Sequence, residues 1–99
     1  MSIHYISNKS IDTLKKEITD EIGKKITKDW IKTSWNENEL LVRIEKGSSS
    51  EFAISLIADE GEVNIKESRR KIALLHKPFS GEVEKAIDSI LKNVGAKKV

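Results

Sequence analysis

From Leu40 to Ile65, apolar and polar residues alternate at period two. Leu40, Val42 and Ile44 share one face, then Phe52, Ile54, Leu56 and Ala58, then Val63 and Ile65. Successive side chains on a strand point to opposite faces, so this alternation predicts half-buried antiparallel strands with one apolar face. Two stretches with apolar residues at helical spacing frame the region. In the first, Ile11, Leu14, Ile18, Ile22 and Ile26 recur every three or four residues, with Lys15, Lys16, Glu17, Glu21, Lys24 and Lys25 on the remaining surface. In the second, Phe79, Val83, Ala86, Ile87, Ile90, Leu91 and Val94 form a stripe that Gly95 is placed to end.

Local signals set the expected boundaries. Ile3 and Tyr5 alternate with His4 and Ile6 as a short first strand, and Asn8 to Ser10 supply capping side chains, so the first helix is expected to begin near Ser10. Gly23 costs ~1 kcal/mol relative to alanine inside a helix, which predicts fraying or a bend beyond it. Ile31, Thr33 and Trp35 form a second strand, turned back by the polar link Asn36 to Glu39 into the strand at Leu40 to Lys46. Gly47 to Ser50 reads as a loop, and Asp59, Glu60 and Gly61 as a tight turn between strands Glu51 to Ala58 and Glu62 to Lys66. Ser68 to Phe79 fits a strand extension, a helical turn or an apolar lid. Pro78 places the start of the closing helix near Phe79 or Ser80, because proline disfavours helix at the residue before it.

These elements define an α+β fold: a single antiparallel sheet of four to five strands, in the order β-α-β-β-β-β-α, with two amphipathic helices packed on one face. Ninety-nine residues fit one domain, expected over 1–95, with 96–99 as a frayed tail. At 37% hydrophobic and 5% aromatic the core is built from Ile, Leu and Val, while 34% charged residues imply a well-solvated surface. The charges nearly cancel at +2, so an electrostatic partner has to be met by a local patch. Absence of cysteine excludes disulfides, thiolate nucleophiles and Cys-ligated metals, and fits a cytoplasmic location. No run of about 18 apolar residues occurs and Met1 to Ser7 lacks the features of a signal peptide, so neither a membrane span nor secretion is expected.

Candidate chemistry is sparse. His4 and His76 are the only imidazoles, without metal-ligand spacing, and each is read as a surface or loop-packing histidine. Ser48, Ser49 and Ser50 after Gly47 lack the rest of a phosphate-loop fingerprint. Asp59, Glu60 and Glu62 lack the spacing of a calcium loop. With no nucleophile elbow or paired-carboxylate motif, the chain is expected not to be an enzyme and to need no cofactor. Trp30 and Trp35, five residues apart, would lie on opposite faces of a regular strand, one in the core and the other either an exposed interface anchor or, more commonly, a partly buried ring covering the end of a small core.

Two surfaces remain. The apolar segment Ile72, Leu74 and Leu75, with Phe79 and Val83, is the candidate lid and wall of a groove between the closing helix and the sheet. Lys24, Lys25 and Lys28 at the end of the first helix, with Arg69, Arg70 and Lys71 after the last strand, form a candidate basic patch if the two clusters converge.

Taken in order, the chain resembles the small bacterial polyhydroxyalkanoic acid system family of granule-associated regulators. The matching features are the strand and amphipathic helix of Ile3 to Ile26, Trp35 followed by the strand Leu40 to Ile44, the turn at Gly47, and the paired strands Phe52 to Ala58 and Val63 to Ile65. The apolar lead-in Leu74, Leu75 and Phe79 to a closing helix with Val83, Ile87, Ile90 and Leu91 completes them. Asn8, Lys9 and Ser10 depart from that family's start of the first helix. The resemblance implies a small cytoplasmic binding or accessory protein whose partner is a protein or apolar ligand. The element order and length are also similar to ribosome hibernation factors, which implies the alternative: a ribosome- or RNA-contacting protein using the basic clusters. The glutamates Glu82 and Glu84 and the lack of a Gly-x-x-Gly loop argue against double-stranded RNA-binding and K-homology domains.

Overall fold

Residues 3–99 are described by the computed structural model, apart from the side chain of Phe79. Strand β1 (His4–Ser7) leads into α1 (Ile11–Lys25), where the Ser10 side chain accepts a hydrogen bond from Thr13 N at 3.2 Å and so satisfies an otherwise unpaired helical donor. Four long strands follow: β2 (Ile31–Asn36), β3 (Glu39–Lys46), β4 (Ser48–Asp59) and β5 (Glu62–Lys71). A 3-10 turn (Leu74–His76), helix α2 (Lys77–Asn93) and a last short strand β6 (Lys97–Lys98) complete the chain.

Among the described residues the strands form one six-stranded sheet in the order β2-β3-β4-β5-β1-β6, with every pairing antiparallel. Leu14, Ile18 and Ile22 of α1 and Val83, Ile87, Ile90 and Leu91 of α2 pack against Tyr5, Val42, Ile44, Phe52, Ile54 and Ile65 in one buried cluster. The opposite face of the sheet is mixed: it carries Leu41, Ala53 and Ile57 beside charged residues, with Arg43 reaching Glu51 at 3.4 Å and Arg69 reaching the same carboxylate at 3.9 Å.

The fold class is as expected, but the strand count is six rather than four to five, and the tail is not frayed. Gly95 (φ 87) donates to Lys92 O at 3.0 Å and Ala96 to Leu91 O at 3.1 Å. These two bonds form a Schellman motif, which turns the chain back as α2 ends. Ala96 is thereby buried, Lys97 and Lys98 pair with Ile6 and Tyr5, and Val99 N donates to His4 O. Ser48 to Ser50 are strand rather than loop, because Gly47 alone (φ 80) makes the turn and the three serines pair with Lys46, Glu45 and Ile44. Strand β5 takes in residues 68–71, and α2 begins at Lys77, with Pro78 in its first positions, where a missing N–H costs no helical bond.

A bulge decides which arginine faces the helices. Ala53 pairs with Arg69 and Ile54 with Glu67, leaving Ser68 unmatched, its hydroxyl donating to Ala53 O at 3.2 Å. Val63, Ile65 and Glu67 share the inner face. The extra residue puts Arg70 on that face instead of Arg69, and the Arg70 guanidinium lies over the Phe52 ring, 4.8 Å from its centroid.

Candidate functional site

The antiparallel order brings the start of β2, the β3–β4 turn, the end of β5, the end of α1 and the start of α2 to one end of the molecule. Helix α1 stops at Ile26, whose backbone leaves the helical region (φ −106, ψ 95) while its N–H still bonds Ile22 O at 2.8 Å. The chain turns through Asp29, with Ile31 N donating to Lys28 O at 3.1 Å, and Trp30 O accepts from Glu45 N at 2.8 Å, which fastens the turn to β3. A cleft of about 150 Å³ opens between this turn and α2. Its walls are Ile26, Trp30, Ile31, Val83 and Ala86; the exposed Lys25, Lys28 and Glu82 stand at its mouth. Lys46 Nζ lies 4.9 Å from the centroid of the Trp30 ring, a cation-π contact that holds the indole from the hairpin side.

The tryptophans do not divide between strand faces, and both take the partly buried position against the core. Trp30 precedes β2 instead of lying in it. Trp35 donates from Nε1 to Thr19 Oγ1 at 3.0 Å.

Of the two readings of His76, surface or loop-packing, the structure shows the second, the residue being 1% exposed. Its Nε2 lies 2.7 Å from Lys46 O and its Nδ1 2.6 Å from Ser50 Oγ, while Ala73 N donates to that same oxygen at 2.8 Å. A carbonyl only accepts, so Nε2 carries the proton, and Nδ1 takes the hydroxyl proton of Ser50. The pair has the elements of a serine–histidine dyad, but Ser50 is fully buried, its oxygen is already engaged by a backbone donor, and the far ring nitrogen meets a carbonyl, not an orienting carboxylate. The arrangement fastens the 3-10 turn to the β3–β4 hairpin. His4, the other imidazole, lies 3.3 Å from Asn64 Oδ1. No group of three or more His, Cys, Asp or Glu residues that could hold a metal occurs among the described residues.

The residues of the expected groove are dispersed. Val83 is buried in the wall of the cleft, and Ile72 packs half-buried against the core. Leu74 and Leu75 point into solvent, and the Phe79 side chain lies outside the described residues.

The basic residues divide as well. Lys25 and Lys28 stand at the cleft, and Lys24 pairs with Glu21 at 3.4 Å. Arg70 bonds Glu67 and reaches Glu84 of α2 at 3.4 Å, Arg69 pairs with Glu51, and Lys71 lies opposite Glu51 in the sheet register. Both clusters lie at the same end. Three strand spacings, roughly 14 Å, separate β2 from β5, and Glu82 and Glu84, two residues apart on a helix, look to opposite flanks of α2. The clusters therefore flank α2 instead of merging.

A scan against protein-family models finds no family that matches the chain, and a search of curated proteins finds none similar to it. Among the described residues, no helix is long and apolar enough to cross a membrane.

Proposed function

We propose that the chain is a non-enzymatic binding module, a cytoplasmic accessory protein whose site is the cleft where α1 ends against α2. The observation that carries this reading is the size of the cleft taken with its lining: about 150 Å³, apolar walls, and Lys25 and Lys28 at the mouth. A cavity of that volume holds one benzene-sized group, whereas pockets for drug-sized ligands and cofactors run ~300–1,000 Å³. The cleft suits a single apolar group of a larger partner, such as the end of an acyl chain, with a negative charge placed against the lysines. Burying one such group contributes roughly 1.5–3 kcal/mol, below the roughly 4 kcal/mol of a millimolar complex. A partner held here needs a second contact.

The granule-associated role expected from the family resemblance supplies acyl-rich partners of this kind. A ribosome- or RNA-contacting role draws on the same cations but leaves the apolar walls unused, and Arg69 and Arg70 already face Glu51, Glu67 and Glu84. The test uses a Trp35→Phe chain, so that Trp30 is the sole indole, titrated with hexanoate up to roughly 200 mM at constant ionic strength, since about 1.5–3 kcal/mol corresponds to a Kd of roughly 6–80 mM. A saturable change in Trp30 emission, lost when Ala86→Phe fills the cleft and weaker with hexylamine, is the expected result. An emission insensitive to hexanoate would overturn the reading.

A further inference from the structure

Leu74 and Leu75 are 78% and 65% exposed, while the next residue, His76, is 1% exposed. A segment that merely closed the end of the sheet would turn its leucines inward and its histidine outward. The reverse is fixed here by three hydrogen bonds, the second buried and the others partly buried: Ala73 N to Ser50 Oγ, Ser50 Oγ to His76 Nδ1, and His76 Nε2 to Lys46 O. The turn is thus a held projection, and Leu75 Cδ1 rests 3.6 Å from where a Cβ on Gly47 would stand.

The chain segment that carries the leucines has charge of one sign. Residues 69–77 contain four lysines and arginines and no carboxylate, and Lys71 and Lys77 on either side of the leucines are exposed. Lys25 and Lys28 stand at the same end of the molecule. The hairpin turns at the opposite end carry Glu37, Glu39, Asp59, Glu60 and Glu62. Asp29, Glu45, Glu51 and Glu82 lie at the leucine end too, but Glu51 is paired with Arg43 and Arg69 and the cations there outnumber the carboxylates. An apolar projection flanked in the chain by Lys71 and Lys77 is complementary to a surface that is negative outside and apolar beneath.

We infer that this end of the molecule docks on the surface of an anionic phospholipid bilayer. Leu74 and Leu75 enter the headgroup–acyl boundary, and Lys71, Lys77, Lys25 and Lys28 meet the headgroups. The inference rests on the cleft reading in one respect, since it provides the second contact that a weak cleft requires. The projection and the cleft are joined through the β3–β4 turn, where Gly47 meets Leu75 and Lys46 meets Trp30.

Sedimentation of the full chain with vesicles of phosphatidylcholine plus phosphatidylglycerol, and of phosphatidylcholine alone, tests this. The expected result is retention by the anionic vesicles only, reduced roughly tenfold or more by Leu74→Ser with Leu75→Ser and lost with Lys71→Glu and Lys77→Glu. Both leucines are exposed, so the serine variant keeps its fold, which circular dichroism verifies. Equal retention of the serine variant, equal retention by neutral vesicles, or capture of RNA without vesicle binding would overturn the proposal. Vesicle binding through the leucines without a hexanoate response would overturn the cleft and keep the docking surface. A hexanoate response without vesicle binding would do the reverse.

Discussion

The hydroxyl oxygen of Ser50 lies 2.6 Å from Nδ1 of His76, joining the start of β4 to the turn before α2 through one buried hydrogen bond. The same oxygen accepts from Ala73 N. Removing it strands the buried acceptor His76 Nδ1, at about 1–3 kcal/mol, and the partly buried donor Ala73 N, at less.

Ser50→Ala is accordingly expected to destabilise the protein by on the order of 3 kcal/mol. Ser49→Ala, at an exposed neighbour, should stay within about 0.5 kcal/mol. Urea denaturation measures the difference, and similar midpoints would show that the bond contributes little.

The single tyrosine makes stability fall in strong base. Tyr5 is fully buried and donates to Asp88 at 2.9 Å; burial first, and the carboxylate second, push its pKa from 10.0 up to about 12. Because the folded-state value is the higher one, the stabilisation is fully present below pH 10 and is lost as pH rises to about 12. The loss has a slope of about 1.4 kcal/mol per pH unit and amounts to on the order of 2 kcal/mol. Tyr5→Phe should flatten this slope, and ultraviolet absorbance should show Tyr5 titrating only above the free tyrosine.

Arg70 stacks on Phe52 and neutralises Glu67, whose side chain is 7% exposed. Arg70→Ala leaves that carboxylate almost buried without its cation, at an expected cost of about 2 kcal/mol, less than the ~3–5 kcal/mol of a fully buried pair. Adding Glu67→Gln should recover part of the loss. A double-mutant cycle with coupling below about 0.5 kcal/mol would refute the link.

In the β4–β5 turn both central residues have positive φ, Glu60 at 46° and Gly61 at 81°. This is the backbone of a type I′ hairpin, which favours Asn-Gly. Glu60→Asn should therefore raise stability by about 0.5–1 kcal/mol, read as a higher thermal midpoint, whereas Gly61→Ala should lower it by about 1 kcal/mol.

The periodicity of the sequence determined which faces are buried. Leu40, Val42, Ile44, Phe52, Ile54, Leu56, Val63 and Ile65 all lie in the core, as do Leu14, Ile18, Ile22, Val83, Ile87, Ile90, Leu91 and Val94. Among the described residues of these patterns, Ala58 beside the turn is exposed, and Ile11, Ile26 and Ala86 are half-buried. Ser10 marked the start of α1 because capping acts within a single turn of chain, whereas the start expected at Phe79 or Ser80 lies two or three residues late, α2 taking in Lys77 and Pro78 as its first positions. Tertiary structure alone decided the rest. The bulge that turns Arg70 inward depends on the register of β5 against β4, and β6 exists because β1 offers an edge to the redirected tail. The cleft needs the end of α1 to meet α2, and the outward leucines need His76 to find Ser50 and Lys46. Periodicity reports which face of an element is apolar, whereas these features arise from hydrogen bonds and packing between residues far apart in sequence, whose partners no local pattern encodes.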